Sequence, residues 1–282
     1  MIARVPATSA NLGPGFDALG MALSLWAEVG LLADSVGPPA GAHRADEHHL
    51  ATVGFRLLGG EGALWVRSPI PMGRGLGYSA AVRVGGLMLA CAQRDGCAVV
   101  TDACADEVLF HAAALEGHAD NAAPAVMGGV VATTGERHIR VPLGFEPAVV
   151  VWVPLFSTRT DHSRSALDSM VSLADASFNI GHVAVLVAAL ASGDVGALGH
   201  AVQDRIHQER RFAAAPQSHD AYHAALAAGA WCAWLSGSGP TVAALCAPDA
   251  ADDLAAAMTA SLGDVGHTKV LRINDVGATL TM

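Results

Sequence analysis

The amino-acid sequence predicts an α+β protein, in which helices and antiparallel strands follow one another in mixed order. Two pairs of short apolar runs, at 130–141 and 231–246, are joined by polar or glycine-rich turns and predict hairpins. Alanine- and leucine-rich stretches between them predict helices. Hairpins mixed with helices favour α+β over a parallel, doubly wound sheet. With 282 residues, the chain can form one large domain or two of about 140 residues each.

The composition excludes several classes of function. The formal net charge is −10 and the arginines are scattered, so we expect no nucleic-acid partner. Apolar residues make up 52% of the chain, but no run free of Gly, Pro or charge reaches the length of a membrane span. The five cysteines form no C-x-x-C pair, which favours reduced, packed thiols over a zinc site or a disulfide framework. The N-terminus has no signal-peptide pattern, and we therefore expect a cytoplasmic protein without a membrane partner.

In the N-terminal half, a loop dense in Gly, Pro and Asn separates the first two predicted strands, at 2–8 and 21–32. Asn11 and Asp17 in this loop either form Asx turns with nearby backbone or face a ligand. A helix is predicted next, and the strand after it leads directly into a glycine loop. These last two elements lie at 48–58 and 63–68.

The glycine loop, Pro71 to Ala81, is the stretch on which a functional hypothesis can be built. Three alternating glycines, Gly73, Gly75 and Gly77, allow positive φ and close approach of a ligand to bare backbone. Backbone N–H groups of such a turn, together with the N-terminus of the next helix, form an anion site of phosphate size. Ser79 begins that helix, where its hydroxyl could ligate Mg²⁺. The loop is not a Walker loop, and taken alone it is more typical of a turn that caps a core helix.

A second polar cluster follows the helix predicted at 102–115. Its members lie close together between apolar flanks, and they are Glu116, His118, Asp120 and Asn121. Solubility alone does not explain such a density of polar side chains, because the flanking residues are apolar enough to be buried.

The second half is predicted to begin after a linker at Pro142–Pro147. Its predicted elements are a buried strand at 148–153, a polar and basic segment at 157–164, helices through 201, a helix at 213–228, and two strands around the glycine turn at 236–240. Asp204 to Arg211 is typical of the charged face of a helix, because its polar side chains pair at i,i+4. No helix or strand is predicted after Cys246.

Three glycine-bearing segments resemble those of the GHMP kinase superfamily, and they stand in the same order. They are Val5–Gly20, Pro71–Ala81 and Leu235–Thr241. The first segment and the string Glu116–Pro124 most resemble the homoserine kinase family within it. Weaker matches at Phe178-Asn179 and Asp204-x-x-His207-x-x-x-Arg211 extend the resemblance over nearly the whole chain. The resemblance implies a ribosomal-protein-S5-like, ATP-binding N-terminal domain at 1–144 and an α+β C-terminal domain at 145–282.

The resemblance also implies an activity, which is ATP-dependent phosphorylation of the side-chain hydroxyl of L-homoserine to O-phospho-L-homoserine, on the route to threonine. The implied cofactors are ATP and Mg²⁺, the implied partner is a small-molecule amino acid, and a homodimer stays open as the assembly. Ser79 and Glu116 are the implied Mg²⁺ ligands. The implied nucleotide-binding residues are Pro71, Gly73, Arg74, Gly75, Leu76, Gly77, Tyr78, Ser79, Ala80 and Ala81. The implied substrate-binding residues are Asn11, Asp17, His118, Asn121, Thr160, Arg164, Arg211 and Gly237.

The implied catalytic residues are Ser79, Glu116 and Asn121. We expect direct attack by the substrate hydroxyl, with Asp120 as the residue to test if a base exists. Tyr78 departs from the Gly-Leu-Gly-Ser-Ser pattern of the family, and we expect its ring to turn toward the adenine pocket or the acceptor cavity. Two alternatives stay open, which are a kinase of another small hydroxy-amino acid or alcohol and a non-catalytic ligand-binding relative.

Overall fold

The structure is a computed structural model that describes residues 1–32, 37–96, 100–157, 167 and 170–281. Within these residues the strands form two antiparallel sheets, and helices pack on both. The prediction of an α+β fold is confirmed.

The first sheet is built on a long antiparallel pair, β1 (Ile2–Ala10) and β2 (Leu19–Leu32). Its further strands are β3 (His43–Ala45), β4 (Ala63–Arg67), β5 (Val130–Thr133), β6 (His138–Val141) and β11 (Thr279–Thr281). The strand order is β11-β1-β2-β4-β3, and the predicted hairpin β5–β6 joins the sheet beside β2. Because β11 pairs with β1, residues near both ends of the chain build this sheet.

Four helices belong to the first sheet, and they are α1 (Leu50–Leu57), α2 (Tyr78–Asp95), α3 (Asp102–Glu116) and α4 (Ala122–Met127). Helix α2 lies against β1 and β2, and most of its 18 residues are buried. Gly86 allows the close approach of α1, since a Cβ there would collide with the Ala51 carbonyl. Thr101 caps α3, because its side chain accepts the N–H of Cys104 at 3.2 Å.

The second sheet has the strand order β10-β7-β9-β8 among the described residues. Its strands are β7 (Ala148–Pro154), β8 (Cys232–Leu235), β9 (Val242–Cys246) and β10 (Gly266–Arg272). The two faces of β7 bury different residues: Val149 and Val151 join the main core, whereas Val150 and Trp152 join a second, smaller core. Because the main core takes residues from both sheets, the two halves of the chain share it.

The helices of the second half are α5 (Leu173–Ser192), α6 (Val195–Ala201), α7 (Gln208–Ala214), α8 (Pro216–Ala227) and α9 (Ala251–Leu262). The helix predicted at 213–228 is in fact the end of α7 followed by α8. Pro216 begins the new helix, where its missing N–H costs nothing. The predicted domain boundary between residues 144 and 145 stays a prediction. Strand β11 lies after that boundary in the chain but joins the first sheet.

Helix α5 is the one helix in the described part of the chain that is long and apolar enough to cross a membrane, with a mean hydropathy of 1.6. It is 28% buried over that window. A single helix of this kind is weak evidence for a membrane span, because core helices of soluble proteins have the same length and composition.

The segment from Asp204 to Arg211 is not one continuous helix, which corrects the sequence prediction. The carboxylate of Asp204 accepts the N–H groups of Ile206, His207 and Gln208 at 3.1, 2.9 and 2.7 Å. An aspartate that binds the backbone in this way competes with a helix and favours a capped turn, so α7 begins only after it. His207 and Arg211 are buried, so these side chains do not form a solvated face.

Candidate active site

A cavity of about 240 Å³ lies where the loop after β1, the glycine loop and the polar cluster after α3 meet. Most predicted site residues line it: Asn11, Asp17, Pro71, Gly73, Arg74, Gly75, Leu76, Gly77, Tyr78, Ser79, Glu116, His118, Asn121, Arg211 and Gly237. Ala80 and Ala81 are instead buried within α2 and are not among the lining residues. Thr160 and Arg164 lie outside the described residues.

Four further residues line the cavity, and they are Leu50, Met72, Asp120 and Ser238. Asp120 stands inside the polar cluster that the sequence singles out, and Met72 stands inside the glycine loop. Leu50 carries no such signal, because it is an ordinary apolar residue at the start of α1.

The three glycine-bearing segments meet at one buried serine pair. Ser236 Oγ lies 2.8 Å from Ser9 Oγ and donates to the Gly75 carbonyl at 2.6 Å. Trp234 Nε1 donates to Ser9 Oγ at 3.0 Å. Asn11 Nδ2 donates to the Gly237 carbonyl at 2.9 Å, which adds a second tie between the first and third segments. These bonds hold the glycine loop between the two halves of the protein.

Two glycines of the loop require the absence of a side chain. Gly75 and Gly77 have φ of 73° and 68°, in the left-handed region that glycine tolerates best. A Cβ on Gly75 would collide with the Ser236 carbonyl, and one on Gly77 would collide with Thr8 Oγ1. Gly77 is also the N-cap of α2, so the loop ends at the positive end of a long helix. This is a geometry in which an anion such as phosphate binds.

Arg74 is the arginine of the glycine loop, and its guanidinium is already bound to backbone. It donates to the carbonyls of Pro154, Leu155 and Phe156 at 2.9, 2.7 and 3.2 Å. These carbonyls lie at the end of β7, so Arg74 connects the loop to the second sheet. Its contacts are those of a residue that positions the loop.

Ser79 and Glu116 face each other at the start of α2 and the end of α3. Ser79 Oγ donates to Glu116 Oε1 at 2.6 Å, and Arg83 Nη1 donates to the same oxygen. Arg83 also donates to the Leu115 carbonyl at 2.9 Å. The side chains of Arg83 and Glu116 are only 17% and 11% exposed. A hydroxyl and a carboxylate at this spacing are oxygen ligands of the kind that Mg²⁺ prefers.

The polar cluster after α3 forms a connected network at the cavity wall. His118 Nδ1 donates to Asp120 Oδ1 at 2.5 Å, and Asn121 Nδ2 donates to the same oxygen at 3.3 Å. Thr8 Oγ1 donates to Asn121 Oδ1 at 2.7 Å. Because both ends of the Asn121 amide are bound, its orientation is fixed. Asp120 is 2% exposed, and these bonds satisfy a carboxylate that has little contact with water.

The loop after β1 brings a second carboxylate to the cavity. Asn11 and Asp17 have φ of 71° and 57°, which is uncommon for residues other than glycine but is best tolerated by Asn and Asp. The Asp17 N–H donates to Asn11 Oδ1 at 3.1 Å. Three potential ligand atoms lie within 4.8 Å of one another, one each from Asp17, His118 and Asp120. Such a cluster can bind a cation, either a metal ion or an ammonium group.

Arg211 is buried at the same cavity, and His207 positions it. Arg211 Nη1 donates to the Gly237 carbonyl at 2.9 Å and to His207 Nδ1 at 3.2 Å. His207 Nε2 donates to the Gly13 carbonyl at 2.7 Å, which leaves Nδ1 as the acceptor. Burial lowers the pKa of His207 from its ordinary value of 6.5, and the positive charge of Arg211 lowers it further against the opposing effect of Asp204. His207 is therefore neutral at neutral pH.

Tyr78 lies near the C-terminal end of the glycine loop, lines the cavity and is 8% exposed. Its hydroxyl lies 3.2 Å from His49 Nε2, at the N-terminus of α1. Burial raises the pKa of Tyr78, and burial and the neighbouring His43 lower that of His49. The ring lies against the start of α1, and its expected direction toward an adenine pocket or an acceptor cavity stays a prediction.

Fold and cavity together define the class of protein. An anion site lies at the N-terminus of a long helix, and a hydroxyl–carboxylate pair stands beside it. A carboxylate and an arginine face the same cavity from other elements. This arrangement can hold a polyphosphate, a divalent cation and a small zwitterion side by side, which is what a small-molecule kinase requires.

Comparisons with known proteins agree with this class. The model of the GHMP kinases N terminal domain matches residues 43–129, and that of the GHMP kinases C terminal matches residues 186–264. The chain is similar to a homoserine kinase of Gloeobacter violaceus, 42% identical over 93% of this chain and 92% of that protein. It is also similar to one of Moorella thermoacetica, 41% identical over 87% of each chain. A crystal structure of homoserine kinase from Cytophaga hutchinsonii covers all of this chain and 97% of its own, with a TM-score of 0.82 and 27% identity.

The chain therefore belongs to the GHMP kinase superfamily and, within it, to the homoserine kinase family. It is a phosphotransferase of the class that acts on a hydroxyl group, with ATP as the phosphate donor. The GHMP kinase fold that the sequence resemblance implied is confirmed. The roles of the individual site residues stay predictions.

Proposed function

We propose that this protein transfers the γ-phosphoryl group of ATP to the side-chain hydroxyl of L-homoserine and so makes O-phospho-L-homoserine for threonine biosynthesis. One observation carries the proposal. A single cavity is lined by the glycine loop at the start of α2, by Ser79 and Glu116, and by the oppositely charged Asp17 and Arg211. The loop suits a polyphosphate, Ser79 and Glu116 suit a metal ion, and Asp17 and Arg211 suit an amino acid.

The amino-acid end of the cavity suits a zwitterion. The carboxylate of Asp17 can accept from the substrate ammonium, and the guanidinium of Arg211 can bind the substrate carboxylate. His207 and the Gly237 carbonyl hold that guanidinium in place before substrate arrives. Arg164 is proposed as a second carboxylate ligand and Thr160 as a further substrate contact, from their match to the family pattern. Asn121 lines the same cavity, and we propose that the side-chain hydroxyl of a substrate bound by both charged groups lies near it.

Mg²⁺ is proposed to bind at Ser79 and Glu116. The residues fit the ion, because a hydroxyl oxygen and a carboxylate oxygen lie 2.6 Å apart and Arg83 keeps the carboxylate in place. Mg²⁺ commonly takes only one or two protein ligands and completes its shell with phosphate oxygens and water. When bound, the ion neutralises charge on the transferring phosphoryl group.

The protein's own residues orient the two reactants. Backbone N–H groups of the glycine loop and the N-terminus of α2 hold the polyphosphate. We propose that Asn121, whose amide is bound by Thr8 and Asp120, orients the substrate hydroxyl. Asp120 already accepts from His118 and Asn121, and this supports an orienting role rather than a proton acceptor. We therefore propose direct attack by the hydroxyl, with its proton leaving to phosphate or solvent.

We place the enzyme in the cytoplasm. The cysteines that the structure describes, Cys91, Cys104, Cys232 and Cys246, are buried and unpaired, which suits a reducing compartment.

A homodimer is the proposed assembly, since Leu173 and Ile180 on α5 are 87% and 71% exposed and a second copy would cover them. Light scattering on the purified chain should give twice the mass of 28.6 kDa. A monomeric mass at micromolar concentration would remove the dimer from the proposal.

Product identification tests the activity directly. The purified chain with MgATP and L-homoserine should release ADP and give a new phosphomonoester signal in a ³¹P NMR spectrum, coupled to the side-chain methylene. The variant Ser79→Ala should nearly abolish that signal, whereas Ser261→Ala, at an exposed position of α9 outside the cavity, should not. ADP release without a phosphomonoester would indicate hydrolysis instead of transfer and would contradict the proposal.

A further inference from the structure

Tyr78, which lines the cavity, is paired with His49 of the neighbouring helix. Tyr78 is the first residue of α2, and His49 is the N-cap of α1. The Tyr78 hydroxyl and His49 Nε2 are 3.2 Å apart. Leu50 and Met72 are apolar residues that line the same cavity.

The hydrogen bonds of His49 determine which way the protons of this pair point. His49 Nδ1 accepts the N–H of Ala51 at 3.1 Å and therefore carries no proton. In a neutral imidazole the proton is then on Nε2, which donates to the Tyr78 oxygen. The phenol must direct its own proton elsewhere. Among the described residues, His49 is the hydrogen-bond partner of the Tyr78 hydroxyl, so the phenol O–H stays available as a donor to a ligand.

The glycine loop separates this donor from the amino-acid side. Gly77 packs against Thr8, which binds Asn121. Tyr78, the next residue, turns in the other direction and reaches α1. A polyphosphate on the loop would thus have its transferred end near Asn121 and its nucleoside end near Tyr78.

We propose that Tyr78, held by His49, donates a hydrogen bond to a ring nitrogen of the nucleobase and is the residue through which this chain recognises the base. The inference rests on the proposed function, because it requires a nucleotide in this cavity. Adenine offers unprotonated ring nitrogens as acceptors. A serine at this position, as in the usual pattern of the family, is too short to reach from α2 to His49.

Binding measurements on the full chain test the inference without turnover. In calorimetric titrations with Mg²⁺ present, Tyr78→Phe should weaken ADP binding about three- to tenfold, the effect of losing one hydrogen bond. The same variant should bind inorganic tripolyphosphate, which has no base, within about twofold of the parent. His49→Asn should weaken ADP binding in the same direction, because asparagine preserves the cap of α1 but does not reach the phenol. Tyr222→Phe is the matched control, since Tyr222 lies outside this cavity, and should change neither affinity.

Two results would overturn the inference while leaving the proposed function intact. One is an unchanged affinity of Tyr78→Phe for ADP, with normal melting temperature and normal turnover. The other is an equal loss for ADP and tripolyphosphate, which would place the phenol on the phosphates. If the parent chain binds neither ligand, the proposed function fails first and the inference fails with it.

Discussion

Replacing Glu116 by glutamine removes one negative charge from the cavity and keeps the shape of the side chain. Both recorded bonds to this residue, from Ser79 and from Arg83, end on Oε1. The amide oxygen of glutamine can accept both, so the variant isolates the charge. We expect the free energy of unfolding to fall by only about 1 kcal/mol, since charge-assisted bonds become ordinary ones. We expect kcat to fall roughly a hundredfold, as when one preorganised charge-stabilising group is lost.

A coupled assay of ADP release at saturating L-homoserine measures the effect on kcat, and a titration of free Mg²⁺ should show a higher concentration for half-maximal rate. Glu107→Gln is the matched control. Glu107 also binds an arginine, Arg94, at 2.8 Å, but it lies outside the residues that line the cavity. Its kcat should stay within about twofold of the parent, because surface ion pairs contribute little. An unchanged kcat and Mg²⁺ dependence for Glu116→Gln would remove Glu116 from the metal site.

Three further predictions concern the amino-acid side of the cavity. Arg211→Leu should raise KM for the acceptor about ten- to hundredfold and change KM for ATP little, because a charge-assisted bond is worth about 1.5–3 kcal/mol. The control is Arg210→Leu, a change at the exposed neighbouring residue. Equal changes in both KM values, or the same effect in the control, would contradict a carboxylate clamp. Asp120→Asn should lower kcat less than about tenfold under direct attack, whereas loss of a general base costs about 10²–10⁴, and kinetics at saturating substrate distinguish the two. The pKa of His207 is lowered in the folded state, so below the ordinary value of 6.5 the unfolded chain binds a proton that the folded chain does not. The free energy of unfolding should therefore fall as the pH drops below 6.5. It should fall less steeply in His207→Gln, although not to zero slope, because His49, His138 and His267 also have lowered pKa values and remain in the variant. An equal slope in denaturant titrations of parent and variant would exclude His207 as a contributor.

Local patterns in the sequence predicted much of the first sheet and its helices. The strand predicted at 21–32 and the helix predicted at 102–115 depend on neighbouring residues, and the structure confirms both as β2 and α3. Elements after Cys246 were not predicted. The short strand β11 is stabilised by pairing with β1 at the opposite end of the chain, and such a pairing leaves no local signal.

The prediction for Asp204 to Arg211 was wrong for a related reason. Charged residues spaced at i,i+4 predict a helix only when the carboxylate is free to pair with a side chain. Asp204 instead binds backbone N–H groups, and Asn179 Nδ2 donates to it at 2.7 Å from α5. The burial of Arg211 follows from that turn.

The sequence predicted which residues belong to the candidate site better than it predicted how they are arranged. The motifs identified the glycine loop and the cluster from Glu116 to Asn121, because their chemistry is unusual for buried segments. Residues that position them, such as Thr8 and Arg83, have no unusual chemistry in the sequence, and their role is found through contacts between distant elements. His207 stands in a weak family match, but its contact with Arg211 is seen only in the structure.

The most direct test of the central claim is the ratio of kcat/KM for L-homoserine to that for related alcohols, measured with saturating MgATP. The panel contains L-serine, L-threonine and 3-amino-1-propanol, which is homoserine without its carboxylate. We predict that L-homoserine is preferred over 3-amino-1-propanol by at least about tenfold, the value of one charge-assisted bond to Arg211, and that it is also the best of the three amino acids. A higher kcat/KM for any other member of the panel would contradict the assignment of homoserine as the acceptor.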